Sequence, residues 1–342
     1  MKRFDTLSLG MIDDVGQIVC VGVPEEGLSH EFERFITKFR VGNFILFKRN
    51  TKSGPHALKA LIGEIRGLLR KLKMPPPFIC VDQEGGRVSR LGPPHWPKLP
   101  SFSSIGRADA PKDEIERVAA ECAHMLTEVG INVNLAPCLD LAEDSANEVM
   151  VERCFSNDPN KVKELGKAYI RALQRQGILA VAKHFPGIGS VDLDPHTCTS
   201  KACANLERQQ EALLPFYGAV EAGVFGVMTS HVLVPCYDPE EIATFSEKIV
   251  KMLREGLGFE GILFTDDLFM GAVRANYGLG AAGARALAAG HDILLYCHDL
   301  LETENALTQL IKLVEEDDTL KRCVARSSHR IRGEKRRIYR SN

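Results

Sequence analysis

Eight short apolar runs, at residues 18–23, 44–47, 78–81, 133–135, 178–182, 225–228, 262–264 and 293–296, recur along the 342-residue chain. Amphipathic segments of helical periodicity lie between them, at 57–72, 114–129, 161–175, 206–222 and 246–256. Short continuous apolar runs read as strands buried on both faces, while the intervening 3.6-residue period needs a surface on which to pack one side of each helix. Strand and helix in strict alternation imply a parallel sheet with crossover helices. Eight repeats in a chain of this length predict an α/β fold, a closed (β/α)8 TIM-type barrel. No Pro/Ser/Gly-rich linker and no internal repeat interrupts the series, so residues 1–342 are expected to form one catalytic domain. From about residue 319 the chain becomes basic. Acidic residues 315–318 precede that stretch and no aromatic series interleaves it, which predicts a solvated helix and tail rather than a phosphate-binding arm.

In such barrels the loops at the C-terminal ends of the strands carry the chemistry, and polar residues gather there in this chain. The run ending at Ala182 leads into Lys183-His184-Phe-Pro-Gly-Ile188-Gly-Ser-Val-Asp-Leu-Asp194-Pro195-His196. Extended geometry before a proline puts Asp194 and His196 on one side, where the carboxylate can fix the tautomer of the imidazole and stabilise its protonated form. A solvated Asp-Pro turn with an incidental histidine is the alternative for so short a motif. The run 262–264 ends in Asp266-Asp267, of which strand alternation allows one to face inward while the other caps a helix or meets solvent. Asp82-Gln-Glu-Gly-Gly-Arg-Val-Ser-Arg90 follows the third run, Ala136-Pro-Cys-Leu-Asp140 and then Glu152-Arg153 the fourth, and Thr229-Ser-His231 the sixth. Acids and forked cations around one mouth suit a ligand rich in hydroxyls and amides.

Bulk properties exclude several classes. The net charge of −2 argues against a nucleic-acid partner. No apolar run approaches membrane-spanning length and no signal-type segment follows Met1-Lys-Arg, so a cytoplasmic location without membrane contact is expected. The 10 cysteines are scattered, most of them in apolar strands, as expected of small hydrophobes in a reducing compartment. Cys198 and Cys203 have no partner pair at zinc-site spacing, so neither a metal nor another cofactor is expected. Oligomeric state is not legible, and a monomer is favoured.

The serial motifs Asp82-Gln-Glu-Gly-Gly-Arg-Val with Arg90, Asn134-Leu-Ala-Pro, Arg153-Cys-Phe-Ser, Lys183-His-Phe-Pro-Gly with Asp194-Pro-His196, and Thr265-Asp-Asp-Leu-Phe-Met resemble those of glycoside hydrolase family 3. The resemblance is strongest to its single-domain β-N-acetylglucosaminidase branch of the peptidoglycan-recycling type, and it runs from Gly16 to about Tyr296. It implies a retaining exo-β-N-acetylglucosaminidase that works through a covalent glycosyl-enzyme. Asp266 corresponds to the nucleophile, His196 to an unusual histidine acid/base, and Asp194 to its supporting carboxylate. Asp82, Arg90, Arg153, Lys183 and His184 correspond to residues that bind the terminal sugar, and His231 lies near the mouth. The chain departs from the pattern at Ile188, where the family usually has His, at Pro195 in place of Ser, and at Val151-Glu-Arg-Cys154 in place of Gly-Asp-Arg-Ser. None of these deletes a catalytic group, although they touch loop motion and rate.

Wall-derived muropeptides are the substrate the resemblance implies, with chitooligosaccharides as the other candidate. Phosphorolysis in place of hydrolysis stays open, because a neutral histidine repels phosphate less than a carboxylate does. Two readings of other classes are a catalytically weak sugar-binding barrel and a metal-dependent hydrolase using His184, His196, His231, Asp194 and Asp266. The latter lacks a His-X-His pair after the first strand.

Overall fold

All eight apolar runs are strands of one closed parallel barrel, ordered around the ring as in the chain. They are β1 (Val19–Gly22), β2 (Asn43–Leu46), β3 (Phe78–Val81), β4 (Val133–Asn134), β5 (Leu179–Phe185), β6 (Gly226–Thr229), β7 (Ile262–Asp267) and β8 (Ile293–Tyr296). Closure comes from pairing Val19, Cys20 and Val21 of β1 with Leu294, Leu295 and Tyr296 of β8. The structure, a computed structural model, describes residues 9–142, 148–188, 200–202 and 205–340. Asp194, Pro195 and His196 lie outside the described residues.

Helices cover the barrel where the amphipathic segments predicted them. The helix Pro55–Lys71 buries Leu58, Leu61, Ile62, Ile65, Leu68 and Leu69, the spacing of one helical face. Proline sits in its first turn and in those of Pro111–Val129 and Pro159–Arg175, where a missing N–H costs nothing. The continuous helix expected over 206–222 is instead two, Leu206–Glu211 and Leu214–Glu221, because Pro215 cannot donate to the preceding turn. Among the described residues no helix is long and apolar enough to cross a membrane.

The basic C-terminal segment forms the helix Asp318–Arg340, and it is not solvated all round. Cys323, Val324, Ser327, Ser328, Ile331 and Lys335 make a buried stripe. The helix is anchored by ion pairing of Arg330 Nη1 with Asp292 Oδ1 at 2.7 Å. Its arginines on the outer face account for the basic composition. Lys335 reaches beneath the N-terminal ends of β1 to β3, where Nζ donates to Gln17 Oε1 at 2.8 Å and to the Gly42 carbonyl at 3.0 Å. The ammonium also lies 5.1 Å from the centre of the Phe78 ring.

Burial pushes the Lys335 amine down to about 7 from its ordinary 10.5, aided by the charge of Arg332. The unfolded chain therefore binds one proton more than the folded one between those two values, and stability should rise with pH across that window and level off below about 7, where both states carry the proton. Thermal melts of the wild type between pH 7 and 10 should show this rise. In Lys335→Met the dependence should flatten, and an identical slope in both proteins would contradict the assignment.

Candidate active site

Every strand of the barrel runs the same way, so all C-terminal ends open at one face. Two β-bulges there decide which side chains reach the mouth. Between β5 and β6, Ala182 pairs with Val227 and Phe185 with Thr229, so three steps on β5 oppose two on β6. Between β7 and β8, Phe264 pairs with Ile293 and Asp267 with Leu295, again three against two. A bulge breaks the in-out alternation and re-aims a side chain. Consecutive residues Lys183-His184 and Asp266-Asp267 are thereby both delivered to the interior of the mouth. The alternation argument allowed one of the two aspartates inside, and the bulge is why it fails.

Asp266 and Asp267 share a cavity of about 270 Å³ with Asp82, Arg90, Phe47, Met228, Met270 and His298. Asp267 is not a helix cap. Its Oδ1 accepts from the backbone N–H of Phe269 and of Cys297, both at 3.1 Å, and Oδ2 lies 3.1 Å from His298 Nε2. Asp266 is left as the carboxylate with freedom to act. Burial raises its pKa, but the neighbouring His184 and His231 more than offset that, and the net shift is downward. It is ionised at neutral pH. His231 is buried between Thr244 Oγ1, at 2.8 Å, and the Asp267 carbonyl, at 3.0 Å, so it braces the end of β7 rather than lining the cavity.

Behind the cavity floor lies a chain of buried ion pairs. Lys183 Nζ stands 2.7 Å from Asp82 Oδ1 and 2.7 Å from Glu84 Oε1. Arg153 holds Glu84 in a fork, Nε to Oε2 and Nη2 to Oε1, both at 2.9 Å. Arg153 Nη2 is also 3.2 Å from His184 Nε2, which lies 4.0 Å from Asp266 Oδ2. On its other side His184 Nδ1 donates to Asp140 Oδ2 at 2.7 Å. Arg90 closes the series, donating from Nη2 to Asp82 Oδ2 at 3.1 Å. Thus Asp82, Arg90, Arg153, Lys183, His184 and Asp266 come together, while Asp194 and His196 fall outside the described residues.

Charge compensation shows in the protonation of each member. Burial favours neutral acids, yet Lys183 and Arg90 hold Asp82 well below the usual carboxylate range. Arg153 and Lys183 likewise outweigh burial at Glu84 and lower it to about 2. Burial lowers His184, but the Asp140 carboxylate overcomes it and lifts the imidazole to about 9.

Two members were visible in the sequence without being assigned to the site, Glu84 and Asp140. Spacing gives the only signal: Glu84 is two residues beyond Asp82, on the same side of an extended segment. A third, Gln83, positions Arg90. Its Oε1 accepts from the backbone N–H of Arg90 and Leu91, both at 2.9 Å, and its Nε2 donates to the Leu91 carbonyl. The hairpin that returns Arg90 to Asp82 turns at Gly85 and Gly86, whose φ values of 102° and 56° exclude most side chains.

Among the described residues the group able to share a metal is Cys138, Asp140 and His184. Asp140 already accepts from Cys138 Sγ at 3.2 Å, His184 Nδ1 at 2.7 Å and the Ile188 N–H at 2.8 Å. An ion would have to displace those protons. The chemistry the mouth offers directly is an ionised, accessible carboxylate beside fixed hydrogen-bonding groups.

Replacing Glu84 by Gln leaves Arg153 and Lys183 short of one buried negative charge, a loss on the order of 3 kcal/mol. Its stabilising contribution is present above the ordinary value of 4.5 and is lost as pH falls through about 2. Urea melts should show Glu84→Gln less stable at pH 7 and less sensitive to acid between those values. Equal stability of the two proteins at pH 7 would contradict the charge-balance account.

The chain is similar over most of its length to proteins of one family. Residues 11–333 match the family described as "Glycosyl hydrolase family 3 N terminal domain". A β-hexosaminidase of Xanthomonas oryzae pv. oryzae is 34% identical over 294 residues, covering 84% of this chain and 86% of that protein. One from Nitrosomonas eutropha is 35% identical over 277 residues, covering 79% and 77%. A β-N-acetylhexosaminidase from Beutenbergia cavernae superposes with a TM-score of 0.88 at 27% identity, over 96% of this chain and 99% of that one. The family 3 β-N-acetylglucosaminidase of Paenibacillus sp. gives a TM-score of 0.88 at 31% identity, covering 97% of this chain. This chain spans 63% of the length of that longer protein. With motifs, barrel and acid-lined mouth in agreement, the chain belongs to glycosyl hydrolase family 3 and is a glycoside hydrolase.

Proposed function

We propose that this protein is a retaining exo-β-N-acetylglucosaminidase, working as one catalytic domain. It would remove a terminal N-acetylglucosamine from wall-derived muropeptides or related oligosaccharides. The observation that carries the reading is Asp266: an ionised carboxylate in a cavity of about 270 Å³, with hydroxyl-binding partners Asp82 and Arg90 on the same wall. The names of the similar β-hexosaminidases support the sugar, and the blind floor of buried ion pairs suits an enzyme that takes a chain end.

In this reading Asp266 attacks the anomeric carbon while His196, with Asp194 behind it, protonates the departing glycosidic oxygen. A covalent glycosyl-enzyme and a free aglycone result. His196 then takes a proton from water, the hydroxide oxygen bonds to the anomeric carbon, and the Asp266 carboxylate leaves with its electron pair. Asp82 accepts from sugar hydroxyls and Arg90 donates to them. Lys183, Arg153 and His184, whose polar heads are engaged by Asp82, Glu84 and Asp140, keep that wall charged and fixed. Preorganised groups of this kind need no rearrangement as charge develops at the anomeric centre.

Asp266→Asn should lower kcat by on the order of 10⁴-fold or more on every substrate, since no glycosyl-enzyme can form. In His196→Ala, an activated aryl N-acetylglucosaminide should give a burst of phenol followed by slow turnover. Azide should accelerate that second step and yield a β-configured glycosyl azide. An α-configured product would overturn the retaining mechanism, and sugar phosphate formed in phosphate buffer would mark phosphorolysis.

The pH profile of kcat/KM separates two histidines. Its acidic limb should lie below the ordinary carboxylate range, because Asp266 is shifted down. If His196 sets the alkaline limb, Asp194→Asn removes a favourable negative charge and moves the limb to lower pH. If His184 sets it instead, near 9, Asp140→Asn moves it and Asp194→Asn does not. The second outcome would remove the Asp194–His196 dyad from the mechanism.

A further inference from the structure

A second cavity, of about 470 Å³, shares Arg90 with the acid-lined one but does not reach Asp266. It lies between the segment that follows β2 and the hairpin loop that follows β3, on the same open face of the barrel. Its lining contains Lys48, Lys52 and Lys98 and no carboxylate. Among the described residues, no acid lies within ion-pair distance of these three lysines, although Glu26, held by Ser53, is near enough to feel the charge of Lys52.

Hydrogen bonding points the same way. Arg90 Nε, Trp96 Nε1 and Ser89 Oγ are buried atoms without a partner, and all three belong to residues that line this cavity. Two of them can only donate, and a hydroxyl donates as readily as it accepts. Buried donors without acceptors are rare and call for an explanation. Lysines in the lining of one cavity, together with unsatisfied N–H and O–H donors on other lining residues, suit an acceptor carrying negative charge. Asp82 does not supply that charge, because it lines the other cavity and is not among the residues of this one.

We propose that this cavity binds a phosphate or carboxylate group, held by Arg90 Nε, Trp96 Nε1 and Ser89 Oγ and by the surrounding lysines. The anion is either free or borne by a saccharide. Because the cavity does not reach Asp266, the bound oxyanion is not the attacking group of a phosphorolysis. Arg90 links the two cavities: the guanidinium that donates through Nη2 to the acid of the sugar wall would donate through Nε to the anion.

Trp96 is the only tryptophan of the chain, so its fluorescence reports on this cavity directly and without any need for turnover. Inorganic phosphate, titrated against chloride at fixed pH and ionic strength, should produce a saturable change. The exposed double variant Lys52→Gln/Lys98→Gln should raise the half-saturation concentration about tenfold or more, since each lost charged contact weakens binding. N-acetylmuramic acid, which carries a carboxylate, is the second probe. Saturation by it at lower concentration than by phosphate, with the same loss in the variant, supports an anion carried by a saccharide; the reverse order supports a free oxyanion. A response that is linear, equal for chloride, or unchanged by the double variant overturns the proposal. Failure of the glycosidase reading would appear as absent turnover and would leave this fluorescence result untouched.

Discussion

The mouth of this barrel depends on charge neutrality at its floor. Asp82, Glu84, Asp140 and Asp266 face Arg90, Arg153, Lys183 and His184, so that four acids are balanced by four cations when the imidazole is protonated. Out of water, any one of these groups alone would give up its charge or disrupt its surroundings. Together they stay ionised, and the acids are held below their ordinary range. The partners come from the ends of β3, β5 and β7, from the segment after β4 and from the helix Glu148–Arg153. Neutrality therefore ties the loops to each other as well as to the barrel. A hydrophobic floor would pack as well, but it would offer nothing to a ligand made of hydroxyl groups.

The barrel was legible in the sequence because its strands are buried on both faces and so appear as unbroken apolar runs, each followed by a helix of clear period. All eight runs are strands of the ring. What local pattern could not supply was register. The bulges at β5 and β7 arise from pairing with the neighbouring strand, and no single strand carries a mark of them. For the same reason Asp266 was found, but the other aspartate was expected to cap a helix or meet solvent. Glu84 and Asp140 were in view at strand ends, yet their partners Arg153 and His184 lie 69 and 44 residues away. Composition also misled at the C-terminus. Arginines on one face of Asp318–Arg340 dominate the sequence there, and the buried stripe of small and apolar residues on the other is easily passed over.

Two of the departures from the family pattern have a plain structural reading. Ile188 contributes its backbone N–H to Asp140 Oδ1 at 2.8 Å, and its side chain is buried among apolar neighbours. Support of the His184–Asp140 pair thus comes from the main chain and is indifferent to which side chain stands at that position. Cys154 is buried in the core, with its amide bonded to the Met150 carbonyl at 3.1 Å, which closes the last turn before the chain leaves Arg153. A thiol there serves as a small apolar group, and the arginine fork it follows is intact.

Lys335 has a consequence for the order in which the molecule can be assembled. Its acceptors, Gln17 and Gly42, precede it by 318 and 293 residues, and β1 must also wait for β8 before the ring can close. On a ribosome, where the chain emerges from its N-terminus, the first two strands are made long before the amine that satisfies them. Contacts of such sequence separation are slow to form and leave intermediates exposed. Synthesis rather than sequence thus sets a lower bound on when this enzyme can exist: the seat of β1 to β3 is completed only once residue 335 has been translated, and a nascent chain halted before it would hold a mouth without a finished base.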